Sequence, residues 1–158
     1  MFSPRDPVYD GQNLLQRIAY VIATMRNRGN PVVFIQHSGP AKSILEPGTQ
    51  GYAIHPEVAP RNHEPVFQKS TPDSFYGTGL GHYLTGHEIR HIVVCGIQTE
   101  LCIDTTCRSA VNRGWQVTLI GNGHSTWPRG SLTPQDIIAH HNDLLQDWFV
   151  TLVMSYDI

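Results

Sequence analysis

Residues 91–110 read HIVVCGIQTELCIDTTCRSA. The first six are almost continuously apolar and end at a glycine, which is typical of a strand buried on both faces of a parallel sheet. A helix is predicted from about Leu101 to Arg113, ended by Gly114. A buried strand that runs through a short turn into a helix is the repeating unit of parallel α/β proteins.

Strand-like and helical segments alternate on both sides of this unit. Helices are predicted from Gly11 after an Asp10 cap, within 77–87, and over 134–146 after a Thr133 cap. Strands are predicted over 31–36, 66–68, 116–121 and 149–154, with a long loop over 37–64. The sequence therefore predicts one domain, residues 1–158, with a three-layer α/β/α fold and a parallel, Rossmann-like sheet.

Composition and charge exclude several classes of protein. The 158 residues carry a formal net charge of −2 and no long basic cluster, so neither nucleic acid nor an anionic membrane is expected as a partner. There is no apolar run long enough for a transmembrane helix, and the first residues do not resemble a signal peptide. Three cysteines without such a signal favour reduced thiols and a cytoplasmic protein.

The three cysteines differ in their predicted surroundings. Cys95 lies within the strand and Cys107 well inside the helix, whereas Cys102 follows the strand at the start of the helix. The positive end of the helix dipole favours a thiolate there, and free N–H groups of the turn can bind an oxyanion. These arguments select Cys102 as a nucleophile; the alternative is a small buried apolar residue.

Three segments resemble the isochorismatase-like hydrolases, which include nicotinamidases, N-carbamoylsarcosine amidase and isochorismatase. Residues 96–106 resemble the family's nucleophile motif, residues 69–78 (KSTPDSFYGT) its lysine segment, and residues 114–119 its next strand. The resemblance implies that Cys102 is the nucleophile and Lys69 the lysine of an Asp-Lys-Cys triad. It also implies a cis peptide between Ile97 and Gln98, with the N–H groups of Gln98 and Cys102 as the oxyanion hole.

The family's aspartate, which follows an N-terminal apolar strand, has no counterpart in this sequence. Asp6 and Asp10 lie beyond its place and are interpreted as a loop residue and a helix cap. Three explanations are open: a natural start upstream of Met1, a chain that has been cut, or a natural variant that has lost the strand and its aspartate. Loss would leave buried groups unpaired at roughly 1–3 kcal/mol each, unless the neighbouring strands close up or a second copy fills the gap. We therefore favour a natural start upstream of Met1, which makes this chain N-terminally truncated, and expect little or no hydrolase activity from the 158 residues.

Several aromatic and histidine residues are candidates for the substrate pocket. These are His37, Tyr52, Phe75, Tyr76 and Trp127, with core packing an equal alternative for Phe75. The segment His124-Ser125-Thr126-Trp127 is expected to shape the mouth of the site. No metal ligand set is apparent, because no carboxylate is matched to the loop histidines; a divalent metal is a lesser alternative.

The resemblance implies a cysteine hydrolase that cleaves a C–N bond of a small amide without a cofactor. We also expect a homo-oligomer. A thioester-type intermediate would form on Cys102 and react with water. One alternative is a vinyl ether hydrolase of the isochorismatase type, which needs no nucleophilic cysteine. The other is an inactive binding homologue, which the missing aspartate favours.

Overall fold

The computed structural model describes the backbone of residues 2–3 and 6–158, and side chains from residue 7 onward. The side chain of Asp6 and part of the N-terminal segment considered above lie outside the described residues. Seven strands and four α-helices follow one another along the chain. They are β1 (Phe2–Ser3), β2 (Asp6–Pro7), α1 (Gly11–Asn27), β3 (Phe34–His37), β4 (Val66–Lys69), α2 (Leu80–Gly86), β5 (His91–Ile97), α3 (Asp104–Asn112), β6 (Gln116–Ser125), α4 (Pro134–Trp148) and β7 (Thr151–Val153).

The parallel strands form two sheets. Strand β3 pairs with β4, and β5, β6 and β7 pair in that order, all in parallel; β1 and β2 form a separate antiparallel pair. The predicted α/β architecture is therefore confirmed, but the parallel strands do not form one continuous ladder. Among the described strands, β3 and β5 do not pair with each other, so of the two alternatives considered above the structure does not show the closing up of these strands.

The three-stranded sheet carries most of the core. Five consecutive residues of β6, Val117–Gly121, are buried, as expected for a strand covered on both faces. The core cluster gathers apolar side chains from α2, α3, β6 and α4. Its buried members are Phe75, Leu80, Leu84, Ile103, Cys107, Ala110, Val117, Leu119, Leu145 and Val150.

The two-stranded sheet is less buried than its sequence suggests. All four residues of β3 are partly exposed, although the apolar run over 31–36 predicts a strand covered on both faces. In β4, only Lys69 is buried. The reason is topological, because β3 pairs on one side only within the described part of the chain.

Helices α4 and α1 begin with different side-chain contacts. Thr133 caps α4 with a capping box, in which Thr133 Oγ1 accepts from the Asp136 N–H and the Asp136 carboxylate accepts from the Thr133 N–H. Asp10 precedes α1 as predicted but does not cap it with its side chain. Its carboxylate instead accepts hydrogen bonds from Asn13 and Arg17, so Asp10 stands at the predicted N-cap position but makes no side-chain capping bond. In the described part of the chain, no helix combines the length and apolar character needed to cross a bilayer.

Candidate active site

Cys102 lies on a turn between strand and helix. Residues Thr99–Ile103 form one π-helical turn directly after β5, and α3 begins only at Asp104, so the helix starts later than predicted. The N–H groups of Leu101 and Ile103 both donate to the Gln98 carbonyl, at 3.3 and 3.1 Å. Cys102 is partly exposed on this turn. The turn stands at the carboxyl end of a parallel strand, where α/β proteins place their binding sites.

The other two thiols are held in the protonated form by their surroundings. Burial raises the pKa of Cys95 to about 11. Burial, with the nearby Asp104 carboxylate, raises the pKa of Cys107 to about 12. Since the thiolate is the nucleophile, neither residue is suited to attack at neutral pH.

The peptide bond between Ile97 and Gln98 is cis, as the family resemblance implies. It joins the end of β5 to the Cys102 turn. The role of the Gln98 and Cys102 N–H groups as an oxyanion hole stays a prediction.

Lys69 is the last residue of β4 and is only 6% exposed. Its ammonium group donates to the Pro72 carbonyl at 2.5 Å. The ion pairs found among the described side chains do not include Lys69. A buried ammonium without a carboxylate is unusual, because buried charges in proteins are normally paired.

His37 lies opposite Lys69 in the register of β3 and β4. Burial, together with the positive charge of Lys69, lowers the pKa of His37, so its imidazole is neutral at pH 7. A pocket of about 230 Å³ opens beside this pair of strand ends. It is lined by Ser38, Gln68, Lys69, Ser70, Tyr76 and Gly77.

The aromatic pocket candidates separate into two groups. Tyr76 is 66% exposed and lines the pocket beside Lys69. Phe75 is buried in the core and stacks on Trp115 with ring centroids 4.9 Å apart, which is the second of the two roles that the sequence allowed. Trp127 is half-buried in the loop after β6, and Tyr52 accepts a hydrogen bond from Gln36 through its carbonyl; neither lines this pocket.

A cluster of hydroxyl groups connects the lysine segment to α3, and sequence reasoning missed it. Ser74 Oγ lies 2.8 Å from Thr106 Oγ1, and both residues are buried. Ser109 Oγ donates to the Asp73 carboxylate at 2.8 Å. One signal was available: Thr106 follows Cys102 by four residues, so a polar side chain lies on the same helical face as the candidate nucleophile.

A buried histidine connects β6 to the Cys102 turn. Strand β6 extends to Ser125, beyond its predicted end, so His124 lies in the strand and not in a loop at the mouth of the site. Asn142 donates its amide N–H to the Gly121 carbonyl, which directs its oxygen toward His124 Nε2 at 2.9 Å. His124 Nε2 must therefore donate, and Nδ1 accepts from the Thr99 hydroxyl at 2.9 Å.

The environment of His124 fits this neutral tautomer. Burial lowers the pKa of His124 to about 4, although the Asn142 hydrogen bond acts in the opposite direction.

Within the described residues, no three His, Cys, Asp or Glu side chains are grouped closely enough to hold a metal ion. The expected absence of a cofactor stays a prediction.

The sequence profile of the isochorismatase domain matches residues 1–133. The chain belongs to the isochorismatase family. This match covers Cys102, Lys69 and the turn with the cis peptide, so the family resemblance of the sequence motifs is confirmed.

Individual family members align over most of the chain. An isochorismatase-family protein of Bacillus subtilis, YddQ, is 35% identical over 113 residues, which are 70% of this chain and 63% of YddQ. A streptothricin hydrolase of Streptomyces noursei is 32% identical over 79% of this chain and 45% of its own length. The chain thus spans about half to two thirds of these relatives.

The fold matches solved structures of the family. A protein from Chromobacterium violaceum, assigned to the isochorismatase family of hydrolases, superimposes with a TM-score of 0.88 at 30% identity. The match covers 98% of this chain and 83% of the other. The arrangement of helices and strands is therefore that of the isochorismatase fold.

Proposed function

We propose that this chain is the hydrolase domain of a cysteine hydrolase that cleaves a C–N bond in a small molecule, with Cys102 as the nucleophile. The observation that carries the proposal is the contrast among the three thiols. Cys102 is partly exposed on the turn after β5, within the family's motif, whereas Cys95 lies inside β5 and Cys107 is buried in α3, where burial raises the pKa of both thiols.

In the proposed reaction, the Cys102 thiolate attacks the carbonyl carbon of the substrate and forms a tetrahedral adduct. The N–H groups of Gln98 and Cys102, with the Lys69 ammonium, stabilise the negative charge that develops on the carbonyl oxygen. The C–N bond then breaks, the amine leaves with a proton, and a thioester remains on Cys102. Water attacks the thioester, releases the acid and restores the thiol.

The proton transfers in this scheme need an acid–base group. The family resemblance assigns them to an aspartate, but the carboxylate of Asp10 is bound to Asn13 and Arg17. The described side chains place no carboxylate in an ion pair with Lys69. We therefore expect little amide turnover by the 158-residue chain, because an amine must gain a proton to leave, whereas an activated ester, whose leaving group needs no proton, should still acylate Cys102.

Two other functions remain alternatives. A vinyl ether hydrolase of the isochorismatase type would not need a nucleophilic thiol. An inactive binding homologue is favoured by one observation, the buried Lys69 ammonium that has no carboxylate partner among the described residues. A homo-oligomeric state stays a prediction of the resemblance and would be tested by light scattering.

The test is covalent trapping followed by a substrate panel. The chain is incubated with p-nitrophenyl acetate, and the acylated residue is located by peptide mass spectrometry. We expect acetylation at Cys102, its loss in Cys102→Ser, and no change in a Cys107→Ala control. Acetylation that persists in Cys102→Ser would overturn the proposal.

The panel contains streptothricin, N-carbamoylsarcosine, nicotinamide and isochorismate, each incubated with the chain before and after alkylation by iodoacetamide. Release of an amine product that alkylation abolishes supports the amidase reaction. Hydrolysis of isochorismate that survives alkylation of Cys102 would favour the vinyl ether reaction. Binding of a panel compound with neither acylation nor turnover would favour the inactive homologue.

A further inference from the structure

We infer that Thr106 is a positioning residue that fixes the Lys69 ammonium relative to the Cys102 turn, acting through the Pro72 carbonyl. This inference rests on the proposed function, since it concerns how the same site is assembled. Thr106 is buried on α3. Its hydroxyl is not one of the reacting groups of the proposed mechanism, and it does not line the pocket beside Lys69.

The Pro72 carbonyl oxygen is the shared acceptor. It accepts from Lys69 Nζ at 2.5 Å and from Thr106 Oγ1 at 3.4 Å. Thr106 Oγ1 also lies 2.8 Å from Ser74 Oγ, and either hydroxyl can donate in this contact. The Ser74 N–H also donates to Thr106 Oγ1, at 3.3 Å. Thr106 therefore accepts from the lysine segment and donates to it.

The backbone ladder cannot provide this alignment. Lys69 ends β4, whereas Cys102 follows β5, and these strands belong to two sheets that do not pair with each other among the described strands. Thr106 is on α3, which continues directly from the Cys102 turn. The hydroxyl cluster is thus a short bonded route from the lysine to the element that carries the thiol.

The position of the ammonium matters because charge interactions strengthen steeply inside a protein. Two charges interact more strongly in the partly dry interior of a protein than in water, and the energy falls as the distance between them grows. A nearby cation stabilises a thiolate and raises its fraction at neutral pH. A displacement of Lys69 should therefore change the reactivity of Cys102 without any change at the thiol itself.

Other charged groups around the two residues are already engaged. Glu100 on the turn is paired with Arg129, and Asp104 at the start of α3 with Arg108. Asp73 in the lysine segment lies 3.9 Å from Arg113. His37 faces Lys69, and burial together with the Lys69 charge lowers the pKa of His37. None of these groups bonds to Thr106, so their charges stay in place when its hydroxyl is removed.

The experiment measures the rate at which iodoacetamide alkylates Cys102, resolved from the other thiols by peptide mass spectrometry, between pH 5 and 10. The proteins are the unsubstituted chain, Thr106→Val, Thr106→Ser, Lys69→Met and the Thr106→Val/Lys69→Met double variant. Circular dichroism at each pH confirms that each variant is folded, and Thr106→Ala replaces Thr106→Val if the valine variant is not.

Lys69→Met should move the midpoint of the pH–rate curve to higher pH by about one pH unit, which slows alkylation at pH 7 about tenfold. Thr106→Val should shift it in the same direction by less, with alkylation about threefold slower. Thr106→Ser keeps the hydroxyl and should restore the original curve. In the Lys69→Met background, Thr106→Val should have no further effect, because the residue acts through the lysine.

Two results would overturn the inference, and they differ in what else they affect. If Thr106→Val slows alkylation equally with and without Lys69, Thr106 supports the turn structurally and does not position the lysine. If Lys69→Met leaves the curve unchanged, the lysine does not act on Cys102. That result also removes Lys69 from the proposed function, whereas acetylation of Cys102 by p-nitrophenyl acetate would still stand.

Discussion

The two parallel sheets differ in how firmly each is packed, and each carries one half of the candidate site. Strand β6 of the three-stranded sheet is buried over Val117–Gly121, whereas every residue of β3 in the two-stranded sheet is partly exposed. Cys102 follows the first sheet and Lys69 ends a strand of the second. The candidate nucleophile therefore follows the well-packed sheet, and the segment after Lys69 is joined to α3 by side-chain contacts.

This difference explains why hydroxyl groups recur between the sheets. Where strands pair, backbone hydrogen bonds fix their register, and side chains are not needed to align the strands. Where they do not, alignment depends on contacts such as Ser74 with Thr106, Asp73 with Ser109, and the stacking of Phe75 on Trp115. All three contacts lie between the segment after β4 and the α3–β6 region.

The largest expected effect tests the packing difference directly. Leu119 in β6 is fully buried, so Leu119→Ala should lower the free energy of unfolding by about 2–5 kcal/mol. Val66 in β4 is 38% exposed, and Val66→Ala should cost less than about 1 kcal/mol. Urea unfolding followed by circular dichroism measures both. Equal losses would show that the two sheets are packed alike.

The second prediction concerns the pH dependence of the three-stranded sheet. Burial lowers the pKa of His124 to about 4, below the value of 6.5 that applies when the chain is unfolded. The unfolded chain therefore binds more protons between these values, and stability is complete above about pH 6.5 and falls toward pH 4. The loss should reach roughly 3 kcal/mol, at about 1.4 kcal/mol per unit.

Replacing the histidine should remove this part of the pH dependence. His124→Gln lowers stability at every pH, but the slope between about pH 6.5 and 4 should become flatter. A His82→Gln variant, at an exposed position on α2, is the matched control and should keep the original slope. An unchanged slope in His124→Gln would mean that another group titrates in this range.

The comparison of the sheets also separates what the sequence could predict from what it could not. Apolar runs revealed β5 and the first part of β6, and the Thr133 cap marked the start of α4. The end of β6 was missed because Asn122–Ser125 contains no apolar run. Asn122 is partly exposed, but the three residues after it are as well buried as the first part of the strand. His124 was consequently assigned to a loop.

The division into two sheets could not be predicted from local patterns. An apolar run reports that a strand is covered in a typical fold, but its actual burial depends on which strands lie beside it. The run over 31–36 therefore predicted a covered strand, while β3 is partly exposed. For the site, the motif identified Cys102 and Lys69. The spacing of Thr106 from Cys102 marked a polar residue near the site, but nothing in the sequence indicated its contact with Ser74, which is 32 residues away.

A third prediction tests a single contact between the two regions. Ser109→Ala removes the hydrogen bond from Ser109 Oγ to the Asp73 carboxylate and should cost about 1–2 kcal/mol, since one partner is charged and partly buried. For a chain of this size, that is a fall in Tm of about 2–8 °C. Ser131→Ala, at an exposed position before α4, should change Tm by less, as measured by calorimetry.

The smallest expected effect concerns the attachment of the two-stranded sheet to α1. Glu64, just before β4, accepts two hydrogen bonds from the Arg26 guanidinium, at 2.8 and 2.6 Å. These bonds lower the pKa of Glu64 to about 2, from 4.5 in the unfolded chain. Because the unfolded carboxylate takes up a proton first, the stabilisation is present above about pH 4.5 and is lost as the pH falls toward 2.

Glu64→Gln should therefore lower stability at pH 7 by an amount on the order of 1 kcal/mol, and the difference from the unsubstituted chain should shrink below about pH 4. Glu88→Gln, at an exposed position after α2, is the control and should show no such convergence. If the Glu64→Gln difference is the same at pH 3 and pH 7, the pair does not hold the sheet to α1 through its charge. The two-stranded sheet would then be held in place only by its apolar contacts and the hydroxyl cluster. In that case we expect Ser109→Ala to lower the free energy of unfolding by more than estimated above.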